Sequence, residues 1–215
     1  MAKEFAHEIS YRGEDLIKKL AACKITICGA GTVGSNLVDT LCRQGAKNIR
    51  IIDMDRVETH NINTQIYGLS DVGATKVNAI KGRMFRDVGV EIETFGKELT
   101  AKNAKKFLKD SHIIIDAFDN NAGRQAVRDS CSKLGLPLLH CGMIDGYGEV
   151  VWDKFYTVPQ DQTEGDVCDY PLARNLVTLI VTITAEEVVD FCISDNPRKG
   201  CWSVTLKDLK ICPYR

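Results

Sequence analysis

Apolar residues recur along this chain in two rhythms that take turns. "KITIC" (24–28), "NIRIID" (48–53), "HIIIDAF" (112–118), "PLLHC" (137–141) and "EVVWD" (149–153) are short aliphatic runs that predict buried strands, and "VEIETF" (90–95) alternates weakly. Between them the spacing becomes helical. Leu16, Ile17 and Leu20 share one face of a helix over 14–22, and Val33, Leu37, Val38 and Leu41 share one over 33–44 that Gly45 stops. Helices are also predicted over 74–88, over 100–110 with Thr100 as cap, and over 121–134. Strands alternating with helices imply parallel crossovers, hence an α/β fold: a doubly wound, largely parallel sheet with helices on both faces. The segment "PLARNLVTLIVTITAEEVVDF" (171–191) is rich in β-branched residues, which favour strand, but its length and its Pro171 start favour a buried helix, the reading adopted. "WSVTLKDLKIC" (202–212) predicts a C-terminal β-hairpin turning at Lys207 and Asp208. With no repeat and no linker, residues 1–215 are expected to form one domain, with a core over 24–152 and a loop, apolar helix and hairpin over 153–215.

Composition narrows the partners. The chain carries 28 Lys and Arg against 29 Asp and Glu, a net charge of −1, without a basic block, so nucleic acid is not an expected partner. The N-terminus has no signal-peptide core, and the uncharged apolar stretch 175–185 is too short to span a membrane. A cytoplasmic protein with no membrane partner is expected. Nine cysteines are an odd number, several lie inside apolar runs, and no two show the spacing of a zinc knuckle. Most are expected to be reduced core residues.

Chemistry concentrates after the first two strands. Gly29-Ala-Gly31-Thr-Val-Gly34 lies between a predicted strand and a predicted helix. In that setting Gly29 allows the tight turn, Gly31 lets phosphates reach the backbone, and Gly34 lets the helix lie close on the strand. The N–H groups at the helix start favour an anion. Asp53 ends the second strand, where its carboxylate can accept hydrogen bonds from two ribose hydroxyls. Beyond it "DMDRVETHNINTQ" packs Asp55, Glu58, His60, Asn61, Asn63 and Gln65 into one loop. A nicotinamide dinucleotide has no use for that many carboxylates and amides. Lys76 opens the next helix, and Asp116 and Asp119 sit at a strand end, the edge where open parallel sheets bind ligands. A lysine, a carboxylate able to hold magnesium and an amide-rich loop suit a nucleoside triphosphate.

Four stretches, "ICGAGTVGSNLVDTLCRQGAKNIRIIDMDRVETHNIN", "GATKVNAI", "IIIDAFDNNAGR" and "LLHCGMIDGYGEV", resemble in order and spacing the ThiF/MoeB/HesA group of ATP-dependent activating enzymes. The resemblance implies a Rossmann-like fold. It also implies ATP and magnesium as cofactors, and adenylation of the C-terminal carboxylate of a small ubiquitin-like or sulfur-carrier protein ending in Gly-Gly. By the same resemblance Gly29, Gly31 and Gly34 form the nucleotide loop and Asp53 takes the ribose. Asp55 and Asn61 line the site, Lys76 binds phosphate and Asp119 binds magnesium. A homodimer packed through the apolar helix is expected.

Three departures from the family pattern bear on activity. Thr64 stands where the family usually carries arginine, the N-terminal arginine that members lend across a dimer has only Arg12 or His7 as candidates, and the zinc knuckles are absent. Arg12, Arg56 and Arg124 are candidates to supply the charge. Cys168, in "GDVCDYPLAR", lies where some members carry a thioester-forming cysteine, and a loop cysteine near a helix start can be nucleophilic. Asp166 and Asp169 beside it oppose thiolate formation. Two other readings stay open: a non-catalytic carrier- or nucleotide-binding member of the family, and an NAD(P)-dependent oxidoreductase built on the same glycine loop.

Overall fold

Every residue of Ile25–Cys28 (β1), Ile49–Ile52 (β2) and Ile113–Asp116 (β4) is buried. Strands buried on both faces suit a parallel sheet covered by helices. A computed structural model describes residues 3–159, 171–194 and 200–213 and shows that sheet. Its order is β3-β2-β1-β4-β5-β6-β7-β8, with β3 at Glu93–Phe95, β5 at Leu138–Ile144, β6 at Tyr147–Trp152, β7 at Trp202–Thr205 and β8 at Lys210–Pro213. Strands β3 to β5 pair parallel, whereas β5 to β8 run antiparallel. The sheet is therefore mixed: parallel from β3 to β5 and antiparallel from β5 to β8, with short turns joining β5 to β6 and β7 to β8 while the long connection from β6 to β7 carries the helix at Arg174–Ile193. The predicted hairpin forms, with Lys207 and Asp208 inside its turn.

The helices are Ala6–Arg12 (α1), Glu14–Ala22 (α2), Thr32–Gln44 (α3), Lys76–Val88 (α4), Ala104–Leu108 (α5), Asn121–Leu134 (α6) and Arg174–Ile193 (α7). From β1 the chain steps through β2 to β3 in one direction and from β4 to β5 in the other. Right-handed crossovers then put α3 and α4 on one face and α6 on the other. The packing agrees, since α3 contacts α4 and α7 while α5 contacts α6. The reversal between β1 and β4 leaves a crevice beyond the carboxyl ends of those strands, where ligands bind in such sheets.

One local expectation is corrected, and one helix carries no periodic signal. Thr100 does not cap a helix: α5 is short, Asn103 precedes it, and the Asn103 Oδ1 accepts the Thr100 N–H at 2.8 Å, closing the turn ahead of it. The segment Ala6–Arg12, too polar to show a core stripe, forms a helix without a buried residue. The apolar segment is helical from Arg174, and its Leu176, Val177, Ile180, Val181, Val188 and Val189 are buried within this chain. It packs on α3, α2, β5 and β6, so its buried face belongs to the protein's own core. Among the described residues no helix is long and apolar enough to cross a membrane.

Candidate active site

The glycine loop is held by contacts only glycine permits. Gly29 has φ +102°, and a Cβ there would stand 2.7 Å from the Ala117 carbonyl oxygen. At Gly34 a Cβ would stand 1.9 Å from the Gly29 carbonyl oxygen, so α3 can lie on the loop only without a side chain. Gly31 faces open space, as a position reserved for a ligand should. Ala30 between them is fixed twice: its N–H donates to Asp53 Oδ2 at 2.7 Å, and its carbonyl accepts from the buried Tyr67 hydroxyl at 2.7 Å. Asp53 Oδ1 accepts the Asp55 N–H at 2.7 Å. Burial raises the Asp53 carboxyl above the ordinary carboxylate range, opposed by the Lys76 charge and by these two N–H groups. Each carboxylate oxygen keeps a lone pair for a ligand hydroxyl.

The polar loop delivers Lys76. Val57 N–H donates to Ala74 O at 2.9 Å and Gly73 N–H to Val57 O at 2.8 Å, so residues 55–57 zip against 73–76. Asp55 takes both ends of the lysine, its carbonyl accepting the Lys76 N–H at 2.9 Å and its Oδ2 the Nζ at 3.0 Å. A cavity of about 520 Å³ opens here, at the strand-order reversal, lined by Gly29, Gly31, Asp53, Asp55, Lys76 and Asp119 among others. Asp119 is exposed and carries no hydrogen bond or ion pair among the described residues. No group of three metal-ligating side chains occurs among them either. A magnesium ion here would take one carboxylate, with phosphate oxygens and water completing its shell, which is its usual manner.

Other expected residues fall elsewhere. Asn61 is buried and does not line the cavity; its Oδ1 accepts the Glu58 N–H at 2.9 Å and caps the turn at Thr59–Asn63. Part of the loop's polarity thus holds the loop itself. Arg12 pairs within the chain with Glu8 and Glu186. Arg56 donates to Gly73 O at 2.6 Å, and Arg124 Nε to Phe118 O at 2.9 Å beside Asp119. Cys168 lies outside the described residues. Burial raises the thiols of Cys28, Cys42, Cys131 and Cys141, to about 12 for Cys42 and Cys131, as core cysteines should behave.

Sequence reasoning missed the stretch Lys97–Ala101, which lines the cavity. It follows β3, and a loop leaving the carboxyl end of any parallel strand reaches that same edge, so the signal was available. It also missed Arg174. Its Nη1 donates at 2.8 Å to the carbonyl of Thr64, whose hydroxyl lies 3.3 Å from that of Thr32 at the start of α3. A guanidinium therefore stands over the loop position that lacks one.

Comparison with known proteins places the chain among relatives of one family. The sulfur carrier protein ThiS adenylyltransferase of Bacillus subtilis is 33% identical over 135 residues, 61% of this chain and 40% of that protein. SUMO-activating enzyme subunit 2 of Dictyostelium discoideum is 28% identical over 153 residues, 70% of this chain and 23% of that protein. The chain thus spans less than half the length of these two relatives. The structure of E. coli MccB with ATP superposes with a TM-score of 0.83 at 17% identity, over 100% of this chain and 72% of that one, which supports the fold. The family profile described as "ThiF family" matches residues 5–196, and the chain belongs to that family.

Proposed function

We propose that the chain adenylates the C-terminal carboxylate of a small ubiquitin-like or sulfur-carrier protein ending in Gly-Gly. The observation that carries this reading is the meeting of Gly31, Asp53, Lys76 and Asp119, from four separate stretches, around one cavity. The names of the relatives support the substrate class. In this reading Asp53 accepts the ribose hydroxyls. The N–H groups at the start of α3 and the Lys76 ammonium take the phosphates. Asp55 steers Lys76, Asn61 holds the loop in place, and Asp119 holds magnesium. Magnesium would supply charge neutralisation on the phosphate oxygens. A carboxylate oxygen of the carrier attacks the α-phosphorus, the bond from that phosphorus to the bridging oxygen breaks, and pyrophosphate leaves with the electron pair. Arg174, which donates to the Thr64 carbonyl and does not line the cavity, puts a cation near the position where the family pattern is broken.

ATP–pyrophosphate exchange with Gly-Gly carriers tests the reaction. Exchange is expected to depend on both carrier and magnesium, and its absence with every carrier would favour the non-catalytic alternative. Isothermal titration should show ATP bound in preference to NAD; the reverse order would favour the oxidoreductase. Asp53→Ala should weaken ATP and AMP by a similar factor, since both carry the ribose. It should also destabilise the ligand-free protein by about 1–3 kcal/mol, because the Ala30 and Asp55 N–H groups lose their acceptor. A variant that binds both nucleotides like wild type would displace Asp53 from the ribose. No reducible conjugate between chain and carrier is expected, given Asp166 and Asp169 beside Cys168. A band on a non-reducing gel, lost on adding dithiothreitol and absent from Cys168→Ala, would instead establish a covalent step.

A further inference from the structure

Behind the cavity wall lies a buried aspartate–histidine hydrogen bond that adenylation as described does not use. Asp116, the last residue of β4, is 0% exposed, and His140 on the neighbouring β5 is 2% exposed. His140 Nδ1 stands 3.1 Å from Asp116 Oδ2. With Asp116 as a carboxylate, which only accepts, Nδ1 is the donor of this bond. The ring is held at Nδ1 and on one face. Tyr156 stacks on it with ring centroids 3.9 Å apart and planes 9° apart. Glu149 Oε1 lies 3.8 Å from Nε2, and the absent side chain of Gly142 makes the room, since a Cβ there would stand 2.9 Å from Nε2.

The other oxygen of Asp116 shows what the pair holds. Oδ1 accepts the Phe118 N–H at 3.2 Å, while Arg124 Nε donates to the Phe118 carbonyl at 2.9 Å. Both backbone groups of Phe118 are therefore gripped, one by the carboxylate that His140 orients. The next residue is Asp119. Stability alone is a poor reason to keep such a pair, because replacing both partners of a buried hydrogen bond by apolar groups of the same shape can be nearly neutral. Fixing the direction of a short turn is a better one, since a group that orients a ligand to a metal or substrate is worth more than its own contacts.

We infer that His140 is a positioning residue: through Asp116 it sets the turn Ala117–Asp119, and so the place at which the Asp119 carboxylate meets the metal–phosphate end of the nucleotide. This rests on the adenylation reading and extends it to a residue that does not line the cavity.

The test compares nucleotides that do and do not reach Asp119. In His140→Leu, calorimetry should show Mg–ATP weakened about 10–100-fold, and the magnesium concentration for half-maximal exchange raised by a similar factor. AMP, which ends before the metal site, should bind as to wild type. His140→Asn, whose amide nitrogen can occupy the Nδ1 position, should recover most of the loss. Equal weakening of AMP and Mg–ATP, or no change in either, would make the pair merely structural and overturn the inference. If His140→Leu does not fold, the wild-type protein decides: the His140 imidazole resonances should shift on adding Mg–ATP and stay in place on adding AMP, and an identical response to both would overturn it. Wild-type protein that binds no Mg–ATP would bring down the adenylation reading and this inference together. Normal wild-type exchange with unaltered His140 variants would remove the inference alone.

Discussion

Lys76→Ala and Asp119→Ala should each lower pyrophosphate exchange by about three orders of magnitude, the usual scale for removing a charge aimed at a reacting phosphate. Neither change should disturb the fold. The Asp55 carboxylate left by Lys76→Ala is 55% exposed and solvated, but Lys76 is 8% exposed and its charge also opposes the burial of Asp53, so a loss of about 1–2 kcal/mol is expected. Asp119 is exposed and bonds to nothing among the described residues. Melting temperatures within about 3 °C of wild type are therefore expected for Asp119→Ala, and within about 8 °C for Lys76→Ala. The two variants should differ in one respect. Lys76→Ala acts on phosphate directly, so extra magnesium should not rescue it, whereas raised magnesium should recover part of the Asp119→Ala loss. Near-wild-type exchange in either variant would take that residue out of the mechanism. Loss of exchange together with a collapse in melting temperature would show that the residue supports the fold instead.

Much of this site is legible in the sequence because its signals are local. A glycine that must turn, a glycine that must let a helix approach and a carboxylate at a strand end are fixed by backbone geometry over a few residues. Gly29, Gly34 and Asp53 stand where that logic puts them. The parallel half of the sheet is legible for the same reason, since each crossover unit repeats one pattern of strand, helix and strand. The antiparallel half is harder. β5 and β6 read alike as apolar runs, and only the short connection at Asp145–Gly146 separates a hairpin from a crossover.

What stays hidden depends on which strands become neighbours. Nothing near His140 in the chain announces Asp116; they meet because β4 and β5 pair in register, with Asp116 opposite His140. Arg50, read as one polar residue in an apolar strand, is 4% exposed and satisfied from β3 and the end of α5, through Glu93, Phe107 O and Lys109 O. Arg174 reaches Thr64 across 110 positions of chain. Single-residue polarity marks such positions as unusual without naming the partner, because the partner is chosen by topology.

The same limit hides the contact whose removal should cost the fold most. Glu187 sits in the middle of α7, 2% exposed, in a segment that otherwise reads as core. Its carboxylate receives three donors: Trp152 Nε1 at 2.9 Å from β6, Gly200 N–H at 2.9 Å, and Trp202 Nε1 at 2.8 Å from β7. One side chain thus fastens the long helix to two strands of the antiparallel half. Gly200 has no freedom to change, because a Cβ there would stand 2.8 Å from the Trp202 indole nitrogen. In Glu187→Ala all three groups lose this acceptor in a packed interior, and about 3–5 kcal/mol of stability should go. That is a large part of the roughly 5–15 kcal/mol that holds a domain together. Melting should fall by about 10 °C or more. Glu187→Gln should fall between Ala and wild type, because its single carbonyl oxygen serves some of the donors while its amide N–H opposes the others. The chain's two tryptophans both end on this carboxylate, so their emission reads the junction directly. A red-shifted spectrum should accompany the loss in Glu187→Ala, with ATP affinity retained at temperatures where the variant is folded, because the cavity lies on the other half of the sheet. An unchanged spectrum and a melting shift under about 2 °C would show that the helix is held by its apolar contacts alone.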